Sequence, residues 1–308
     1  MTVSIVICTL NRAESLRRTL ASLVAMRAPG ELDWEVLVVN NNCTDDTDSV
    51  IEAYRGLLPL RREFEPQRGH CNARNRAIDA ARGDYFVWTD DDVLVDSDWL
   101  SAYADAFRNW PEAAVFGGPI IPKFEPPTPK WLADCLDQVG GAFAARDLGD
   151  CVQPLAVEGN RIPYGANFAV RAIQQRNFRY NPELGLGAGR GRLGDEVDVI
   201  TRILQSGGVG YWIPEAKVEH CIGRERQTVE YLFRHFTAWG ETRAFLVPPE
   251  TAARLWLGVP RWRWRQLFEQ WMRYRFHRLA SPARVWMCHF QAYGFYRGKI
   301  RYLRSVRR

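Results

Sequence analysis

The sequence predicts an α/β protein in which helices flank a mostly parallel sheet. Three observations support this fold class. Continuous apolar runs of strand length alternate with segments whose apolar residues recur at helical spacing. Polar clusters follow several of these runs, where the carboxyl ends of parallel strands would meet. The composition is that of a globular protein, since 46% of the 308 residues are hydrophobic and 25% are charged.

The first two thirds of the chain contain the clearest alternation. Residues 3–8 form a β-branched apolar run, which is typical of a strand covered on both faces, and residues 35–39 repeat the pattern. Asn11 is expected to cap the helix between them. Further strands are predicted at residues 85–88, 113–116, 166–171, 209–213 and 218–220. Helices are predicted around the apolar stripes at residues 16–24, 50–57, 73–81, 100–107 and 199–204.

The pattern changes after the fourth predicted strand and helix. Residues 119–153 begin with a dense group of prolines and are predicted to form a long loop. Beyond Thr228 the chain is predicted to be helical, with a break at Pro248 and Pro249. We therefore expect an α/β domain over residues 1–225 and a helical region over residues 226–308.

Charge is distributed unevenly along the chain. Residues 251–308 contain 14 basic residues and 1 acidic residue, whereas the first 250 residues contain 27 basic and 35 acidic. Two aromatic stripes at helical spacing begin at Trp264 and at Trp286 in this basic region. Arginine opposite tryptophan is typical of helices that lie on anionic membranes. The alternatives are packing of these stripes on the α/β domain, or nucleic-acid binding, which the acidic body disfavours.

Cysteine usage and apolar segments indicate the compartment. The seven cysteines are an odd number without C-x-x-C spacing, so we expect no disulfide framework and a reducing environment. The opening residues lack the basic start of a secretory signal. No apolar stretch reaches the roughly 18–20 residues of a membrane-spanning helix. We expect a cytoplasmic protein that associates peripherally with the inner face of the cell membrane.

Carboxylates occur at two places where a site would form. Asp90, Asp91 and Asp92 directly follow a predicted strand, and Asp195 and Glu196 begin a predicted helix. Because side chains alternate along a strand, Asp90 and Asp92 are expected on one side, where their oxygens suit Mg²⁺ or Mn²⁺. The alternative is a solvated acidic turn.

Taken in order, these motifs resemble those of the family 2 glycosyltransferases. The matching segments are residues 4–12, 38–47, 69–75, the acidic triplet, residues 165–168, residues 194–196 and His220. The resemblance implies a GT-A fold with a Rossmann-like nucleotide-binding half, to which the helical C-terminal extension is added. It also implies an inverting transferase that uses a nucleotide-sugar donor, in cell-surface polysaccharide or glycolipid synthesis. The acceptor would be a saccharide or a lipid-linked saccharide.

The resemblance assigns the first two strand ends to the nucleotide. Thr9, Asn11, Arg12, Asn40 and Asn42 are expected there. Asn40 stands where the family usually has Asp, and its amide still suits uracil, so a UDP-sugar is favoured. The alternative is that the asparagines only form a tight turn.

The other donor contacts are assigned to segments further along the chain. They are Gly69, Arg74, Asp90, Asp91, Asn167, Arg190 and Arg192. Arg74 is expected near the base or the diphosphate, the alternative being an arginine on a helix surface. Arg190 and Arg192 lie in a glycine-rich segment that would close over the diphosphate or form a plain flexible loop.

The metal and the base are assigned to carboxylates. Asp92 and Asp90 are expected to hold Mg²⁺ or Mn²⁺ together with His220, with Asp91 as a substitute if the register shifts by one residue. The alternative for His220 is a structural histidine.

By position Glu196 is the expected base, and Asp195 is the alternative; both would also favour a helix N-terminus. Two other functions remain open. One is a metal-dependent nucleotidyltransferase, and the other is a non-catalytic sugar-nucleotide-binding component of a synthase complex.

Overall fold

The computed structural model describes residues 1–185, 191–247 and 255–306. Within these residues the strands are β1 (Thr2–Thr9), β2 (Asp33–Asn40), β3 (Leu60–Phe64), β4 (Tyr85–Asp90), β5 (Val93–Val95), β6 (Val115–Gly117), β7 (Ile120–Phe124), β8 (Gln153–Pro154), β9 (Asn167–Arg171), β10 (Gly210–Trp212), β11 (Val218–Ile222), β12 (Leu255–Trp256) and β13 (Val259–Pro260). The helices are α1 (Ala13–Ala25), α2 (Thr47–Tyr54), α3 (His70–Ala80), α4 (Trp99–Asn109), α5 (Lys130–Ala133), α6 (Leu136–Val139), α7 (Ala172–Asn177), α8 (Asp195–Gln205), α9 (Val229–Leu246), α10 (Arg261–Ala280) and α11 (Ala283–Ser305).

The main sheet has the strand order β3-β2-β1-β4-β9-β6-β10-β8. The first four strands run parallel, as the apolar alternation predicts. Strand β9 is antiparallel to both β4 and β6, so the second half of the sheet is mixed. The parallel half therefore brings the carboxyl ends of β1, β2 and β4 to one edge. The second, smaller sheet has the order β5-β11-β7.

Burial explains why the predicted strands form. The side chains from Val3 to Ile7 and from Val36 to Val39 are all buried, because helices cover both faces of the sheet. Helix α1 buries Leu16, Leu20 and Leu23 on one face, at the predicted spacing. The prediction of an α/β fold with a helical C-terminal extension is confirmed.

Three local predictions differ from the structure. Strand β3 was not predicted, because its sequence Leu-Arg-Arg-Glu-Phe is polar and the strand lies at the sheet edge. The predicted loop at residues 119–153 contains β7, α5 and α6. Asn11 does not cap α1: the first backbone N–H of this helix, at Ala13, donates to the Asp45 carboxylate at 2.9 Å.

The chain forms two compact units. Of the described residues, the first unit comprises 1–123, 144–185 and 194–221, and the second comprises 124–143, 191–193, 222–247 and 255–306. The main sheet and its helices form the first unit. The second is built mainly from α9, α10 and α11, as the sequence predicts beyond Thr228. The predicted break at Pro248 and Pro249 lies outside the described residues.

The second unit has its own core. Trp286, Phe290, Ile300 and Leu303 of α11 are buried, so this predicted stripe packs inside the protein. Helices α9 and α11 approach closely: a Cβ at Gly298 would lie only 1.9 Å from the backbone oxygen of Thr237. Among the helices described, none combines the length and the apolar composition required to cross a bilayer.

Candidate active site

Polar residues of three parallel strands meet at the carboxyl edge of the main sheet. Thr9 at the end of β1 pairs in register with Asn40 at the end of β2, and Cys8 pairs with Asp90 at the end of β4. Asn167 begins β9 opposite Thr89 at the same edge. The structure thus brings together the clusters that the sequence places after separate strands.

One arginine joins the second and third residues of the acidic triplet. Strand β4 ends at Asp90, so Asp91 and Asp92 lie in a turn and strand alternation does not govern them. An Nη1 atom of Arg12 donates to Asp91 and to Asp92, each at 2.8 Å, and Thr9 donates to Asp91 at 2.7 Å. Burial raises the pKa of Asp91 to about 6, against the attraction of Arg12. Asp91 and Asp92 are buried, which contradicts the solvated-turn alternative.

His220 extends this cluster from β11. The strand pairs with β5 and places His220 opposite Val93. His220 is buried, and its Nε2 lies 3.2 Å from a carboxylate oxygen of Asp92. The carboxylate oxygens of Asp92 are thus the hard oxygen ligands of this cluster, with the His220 imidazole beside them.

The second carboxylate cluster surrounds Arg74 of α3. Its guanidinium lies 2.9 Å from Asp195, 3.9 Å from Glu196 and 3.9 Å from Asp90. The arginine side chain is only 3% exposed. Its guanidinium lies over the rings of Trp88, Phe168 and Tyr180 at 5.8, 5.9 and 5.1 Å. In this structure the positive charge of Arg74 therefore balances the negative charge of these carboxylates. The guanidinium itself is surrounded by aromatic rings.

The pKa values of the two adjacent carboxylates of α8, Asp195 and Glu196, are shifted in opposite directions. Although burial opposes it, Arg74 and His70 hold the pKa of Asp195 well below its usual range. Burial and the negative charge of Asp195 raise the pKa of Glu196 to about 7, against the pull of Arg74. A carboxylate with a pKa near neutrality is suited to accept a proton. The environment of Glu196 is therefore better suited to proton acceptance than that of Asp195.

Gly165 is needed where Glu196 and Arg74 meet the preceding loop. A Cβ at this position would lie 3.1 Å from Nη2 of Arg74 and 3.3 Å from Cδ of Glu196. A larger residue would displace one of these groups, because both are packed against the protein interior. The glycine thus keeps the carboxylate and the arginine in their present positions.

The pKa of Glu196 leads to a pH-dependent prediction. The base must be deprotonated, so the rate of transfer at saturating substrates is expected to rise about tenfold from about pH 6 to about pH 8, with an apparent pKa near 7. In the folded state this group keeps its proton up to a higher pH than in the unfolded chain. Its contribution to stability is therefore present at low pH and falls as the pH rises from about 4.5 towards about 7. A pH–rate profile measures the first effect, and a flat profile over this range would contradict the assignment.

Several other predicted residues have internal partners. Asn167 is fully buried, and its amide accepts from Trp99 and Tyr103 and donates to the backbone oxygens of Pro119 and Ala216. These bonds use the whole hydrogen-bonding capacity of the amide and fix the start of β9, while the donor contact of Asn167 stays a prediction.

The asparagines after β1 and β2 shape the loops around the nucleotide edge. Asn11 and Asn42 adopt left-handed backbone conformations, with φ of 54° and 62°. Asn11 accepts from the backbone N–H of Thr44. The buried amide of Asn40 accepts from the Cys43 N–H and donates to Asp48. The tight-turn alternative is therefore supported for these positions.

Arg192 and the start of α3 also have defined surroundings. Arg192 is buried in the second unit, where its guanidinium lies 4.1 Å from the ring of Phe245, so the structure does not present it as an exposed lid residue. Arg190 lies outside the described residues. Gly69 has a φ of 137°, and its N–H donates to Asn41.

Three residues near the site were not selected from the sequence. His70 lies with its Nδ1 3.4 Å from Asp195, Tyr180 stacks beneath Arg74, and Asn41 ties the backbone of residues 65–69 to β2. His70 carried a signal, since it directly follows Gly69 at the start of a helix. Tyr180 carried none, because its role depends on long-range packing.

Comparisons with known proteins identify the family to which this sequence is similar. Residues 4–157 match the family model described as glycosyl transferase family 2. The chain is 28% identical over 254 residues to the succinoglycan biosynthesis protein ExoM of Rhizobium meliloti, across 80% of this chain and 75% of ExoM. It is 28% identical over 257 residues to the glucosyl-dolichyl phosphate glucuronosyltransferase of Haloferax volcanii, across 77% of this chain and 74% of that protein.

A solved structure shares the fold. The mannosyltransferase PcManGT from Pyrobaculum calidifontis, in complex with GDP-Man and Mn²⁺, aligns with a TM-score of 0.54 and 18% identity. The alignment covers 81% of this chain and 65% of that one. At this identity the similarity shows the fold alone.

Proposed function

The chain belongs to glycosyl transferase family 2, and from this we propose that it is an inverting transferase that uses a nucleoside-diphosphate sugar. The acceptor is a hydroxyl group of a saccharide or of a lipid-linked saccharide. The observation that carries the proposal is the part-buried carboxylate of Glu196, whose pKa of about 7 suits a base at the carboxyl edge of the sheet.

In the proposed reaction, Glu196 accepts the proton of the acceptor hydroxyl. The hydroxyl oxygen attacks the anomeric carbon from the side opposite the departing nucleoside diphosphate, which inverts the configuration. Asp195 remains ionised and raises the proton affinity of Glu196, while Arg74 limits the repulsion between the two carboxylates. Asp195 and Arg74 thus act as positioning residues.

The nucleotide is proposed to bind along the ends of β1, β2 and β4. Thr9, Arg12, Asn40 and Asp90 lie at or beside that edge. A UDP-sugar is the favoured donor on the family resemblance; the Asn40 amide, which is bonded to Cys43 and Asp48 in this structure, would have to exchange those bonds to pair with uracil. Binding of UDP-, GDP-, ADP- and dTDP-sugars, compared by thermal shift, identifies the donor.

Divalent metal use is proposed for the acidic triplet. Within the described chain, no three histidine, cysteine or acidic side chains converge as a ready metal cage. The donor set nevertheless fits Mg²⁺ or Mn²⁺, which is commonly held by one or two carboxylates together with substrate phosphates. Asp92 and His220, which lie 3.2 Å apart, would hold the ion with Asp90, and the ion would neutralise charge on the diphosphate. The Mn²⁺ in the PcManGT complex supports this proposal.

The metal proposal predicts linked binding of ion and nucleotide. We expect Asp92→Asn and His220→Ala each to weaken Mn²⁺ binding by about tenfold or more, measured by calorimetry with the nucleoside diphosphate present. Asp105→Asn is the matched control, because this exposed aspartate forms an ion pair with Arg108 on its own helix. Unchanged Mn²⁺ affinity in the Asp92 variant would remove this residue from the site.

The proposed biological setting is polysaccharide or glycolipid synthesis at the cytoplasmic face of the membrane. ExoM is named for succinoglycan biosynthesis, and the Haloferax relative is named for glucosyl-dolichyl phosphate, a lipid-linked sugar. The basic residues 251–308 support peripheral association with an anionic surface.

A product assay tests the proposed class of reaction. Incubation of the full chain with a nucleotide sugar, Mn²⁺ and an acceptor should release a nucleoside diphosphate and form a glycoside of inverted configuration. Release of pyrophosphate would instead indicate a nucleotidyltransferase. Donor binding without any release would indicate a non-catalytic binding component.

A further inference from the structure

Helix α10 of the second unit exposes a row of apolar side chains. Phe268, Met272, Phe276 and Leu279 are 61%, 48%, 69% and 90% exposed. They are spaced by four, four and three positions, so they lie on one face of the helix. We call this row the outer face of α10. Leaving four large apolar side chains in water is unfavourable.

The outer face is not needed for the core of the second unit. The opposite side of α10 buries Tyr274, which packs against Trp286, Phe290 and Tyr293 of α11. Helix α10 is therefore already anchored to the protein through its inner side. The apolar row on the other side is available for a partner.

A hairpin next to α10 exposes three more apolar residues. Strands β12 and β13 pair, and the hairpin tip exposes Leu255, Trp256 and Leu257 in succession. Leu257 has a φ of 49°, a left-handed conformation that glycine or asparagine adopts far more readily than leucine. The tip of the hairpin therefore holds a leucine side chain in the solvent at a position where glycine or asparagine would be expected.

The hairpin tip and α10 share an aromatic cleft. A cavity of about 530 Å³ is lined by Trp256, Trp264, Arg265, Leu267, Phe268, Trp271 and Tyr293. The ring of Trp256 contacts that of Trp264, with centroids 5.1 Å apart. The exposed apolar surfaces of the hairpin and the helix are therefore joined by an apolar, tryptophan-rich wall.

The charge around this surface is positive. Helix α10 contains six arginines and one acidic residue, Glu269. By helical spacing Arg261, Arg265 and Arg275 lie on the same side as the outer face, and Arg273 flanks it. Long arginine side chains can extend past apolar neighbours and keep their charge in a polar layer. A partner for this surface must combine an apolar interior with negative charge at its boundary.

We propose that the hairpin tip and the outer face of α10 dock on a bilayer that contains anionic phospholipid. Arginine, tryptophan and aliphatic side chains in this arrangement match the headgroup layer and the adjoining acyl chains. Nucleic acid fits less well, because leucine and methionine do not stack on bases. This inference deepens the proposed function: it rests on that function in making the acceptor a membrane lipid-linked saccharide, which the enzyme meets at the bilayer surface.

Vesicle sedimentation of the full chain tests the proposal. The protein should bind vesicles of phosphatidylglycerol and phosphatidylcholine in equal parts, and binding to phosphatidylcholine alone should be much weaker. Substituting serine for Phe268, Met272 and Phe276 together should weaken binding by roughly a hundredfold or more. Changing Arg261, Arg265 and Arg275 to glutamine should weaken it by about fivefold per arginine, and added salt should have a similar effect.

A matched control separates membrane contact from loss of apolar surface in general. Leu57 and Ile173, on the first unit, are exposed to a similar extent, and their serine variants should bind vesicles as the parent protein does. Equal binding by the α10 serine variant would overturn the proposal. The proposal would also be overturned if anionic lipid did not strengthen vesicle binding, or if the same surface bound nucleic acid in place of vesicles. It would be overturned, too, if the α10 serine variant lost a dimer that the parent protein forms, since the surface would then bind a second copy of the chain.

A kinetic comparison distinguishes this inference from the proposed function. The α10 serine variant should keep its turnover on a water-soluble acceptor and lose turnover on a lipid-linked acceptor in vesicles. If no acceptor is glycosylated but vesicle binding follows the pattern above, the proposed reaction fails and the membrane surface stands. If both acceptors are used equally by the variant and the parent protein, the membrane surface is overturned and the reaction stands.

Discussion

Replacing Glu196 by glutamine lowers the kcat of sugar transfer by about a thousandfold and leaves donor affinity within about twofold. Glutamine keeps the shape of the side chain but cannot accept the acceptor proton. Donor binding is preserved because Glu196 lies with Arg74 and Asp195, whereas the strand ends of β1 and β2 are untouched. Steady-state kinetics combined with calorimetry of the nucleoside diphosphate measures the two effects separately.

The control for this variant lies two residues further along the same helix. Asp198 of α8 forms an ion pair with Arg202 at 2.9 Å, and Asp198→Asn should transfer sugar at nearly the parental rate. Near-normal turnover of the Glu196 variant would instead make Asp195 the base. That outcome would be unexpected, since Arg74 holds the pKa of Asp195 far below neutrality despite its burial.

Replacing Arg74 by methionine is expected to produce the largest loss of stability. Methionine fills similar space between the aromatic rings but removes the charge that balances Asp195, Glu196 and Asp90. Removing one partner of a buried ion pair typically costs about 3–5 kcal/mol. Urea denaturation at neutral pH measures the change in the free energy of unfolding.

The pH dependence of this variant identifies the cause. Without Arg74 the buried carboxylates bind protons more tightly in the folded than in the unfolded state, so stability should recover as the pH is lowered below about 6. Arg76→Met is the matched control on the same helix: Arg76 is largely exposed, and its pair with Glu63 at 2.6 Å should contribute about 1 kcal/mol or less. Equal effects of the two substitutions would show that Arg74 does not neutralise the carboxylates.

The agreement between sequence and structure depends on how local each feature is. Strand β1 and helix α8 were predicted closely, because buried apolar runs and a helical stripe are visible within a few residues. Strand β3 was missed because an edge strand can be polar, and its Arg61 is held by Glu35 from the neighbouring strand. The hairpin of β12 and β13 was missed because its pairing involves only two residues on each side.

The C-terminal helices α10 and α11 show the same limit of prediction from local sequence. Periodicity predicted two aromatic stripes, but it did not distinguish the buried stripe of α11 from the exposed side chains of α10. That difference depends on which neighbours each helix meets. The exposed row itself, with Phe276 and Leu279, falls partly outside the predicted stripe.

The amino-acid sequence alone determined the alternation of strands and helices and the order of polar clusters at the strand ends, because apolar spacing and chain direction are local properties. Only the tertiary structure decided that Arg74 pairs with Asp195, 121 positions away, and that Asn167 is enclosed by Trp99 and Tyr103. The physical reason is that a proton affinity or an ion pair is set by the distance and burial of groups from separate elements. Those quantities exist only once the sheet and its helices have packed.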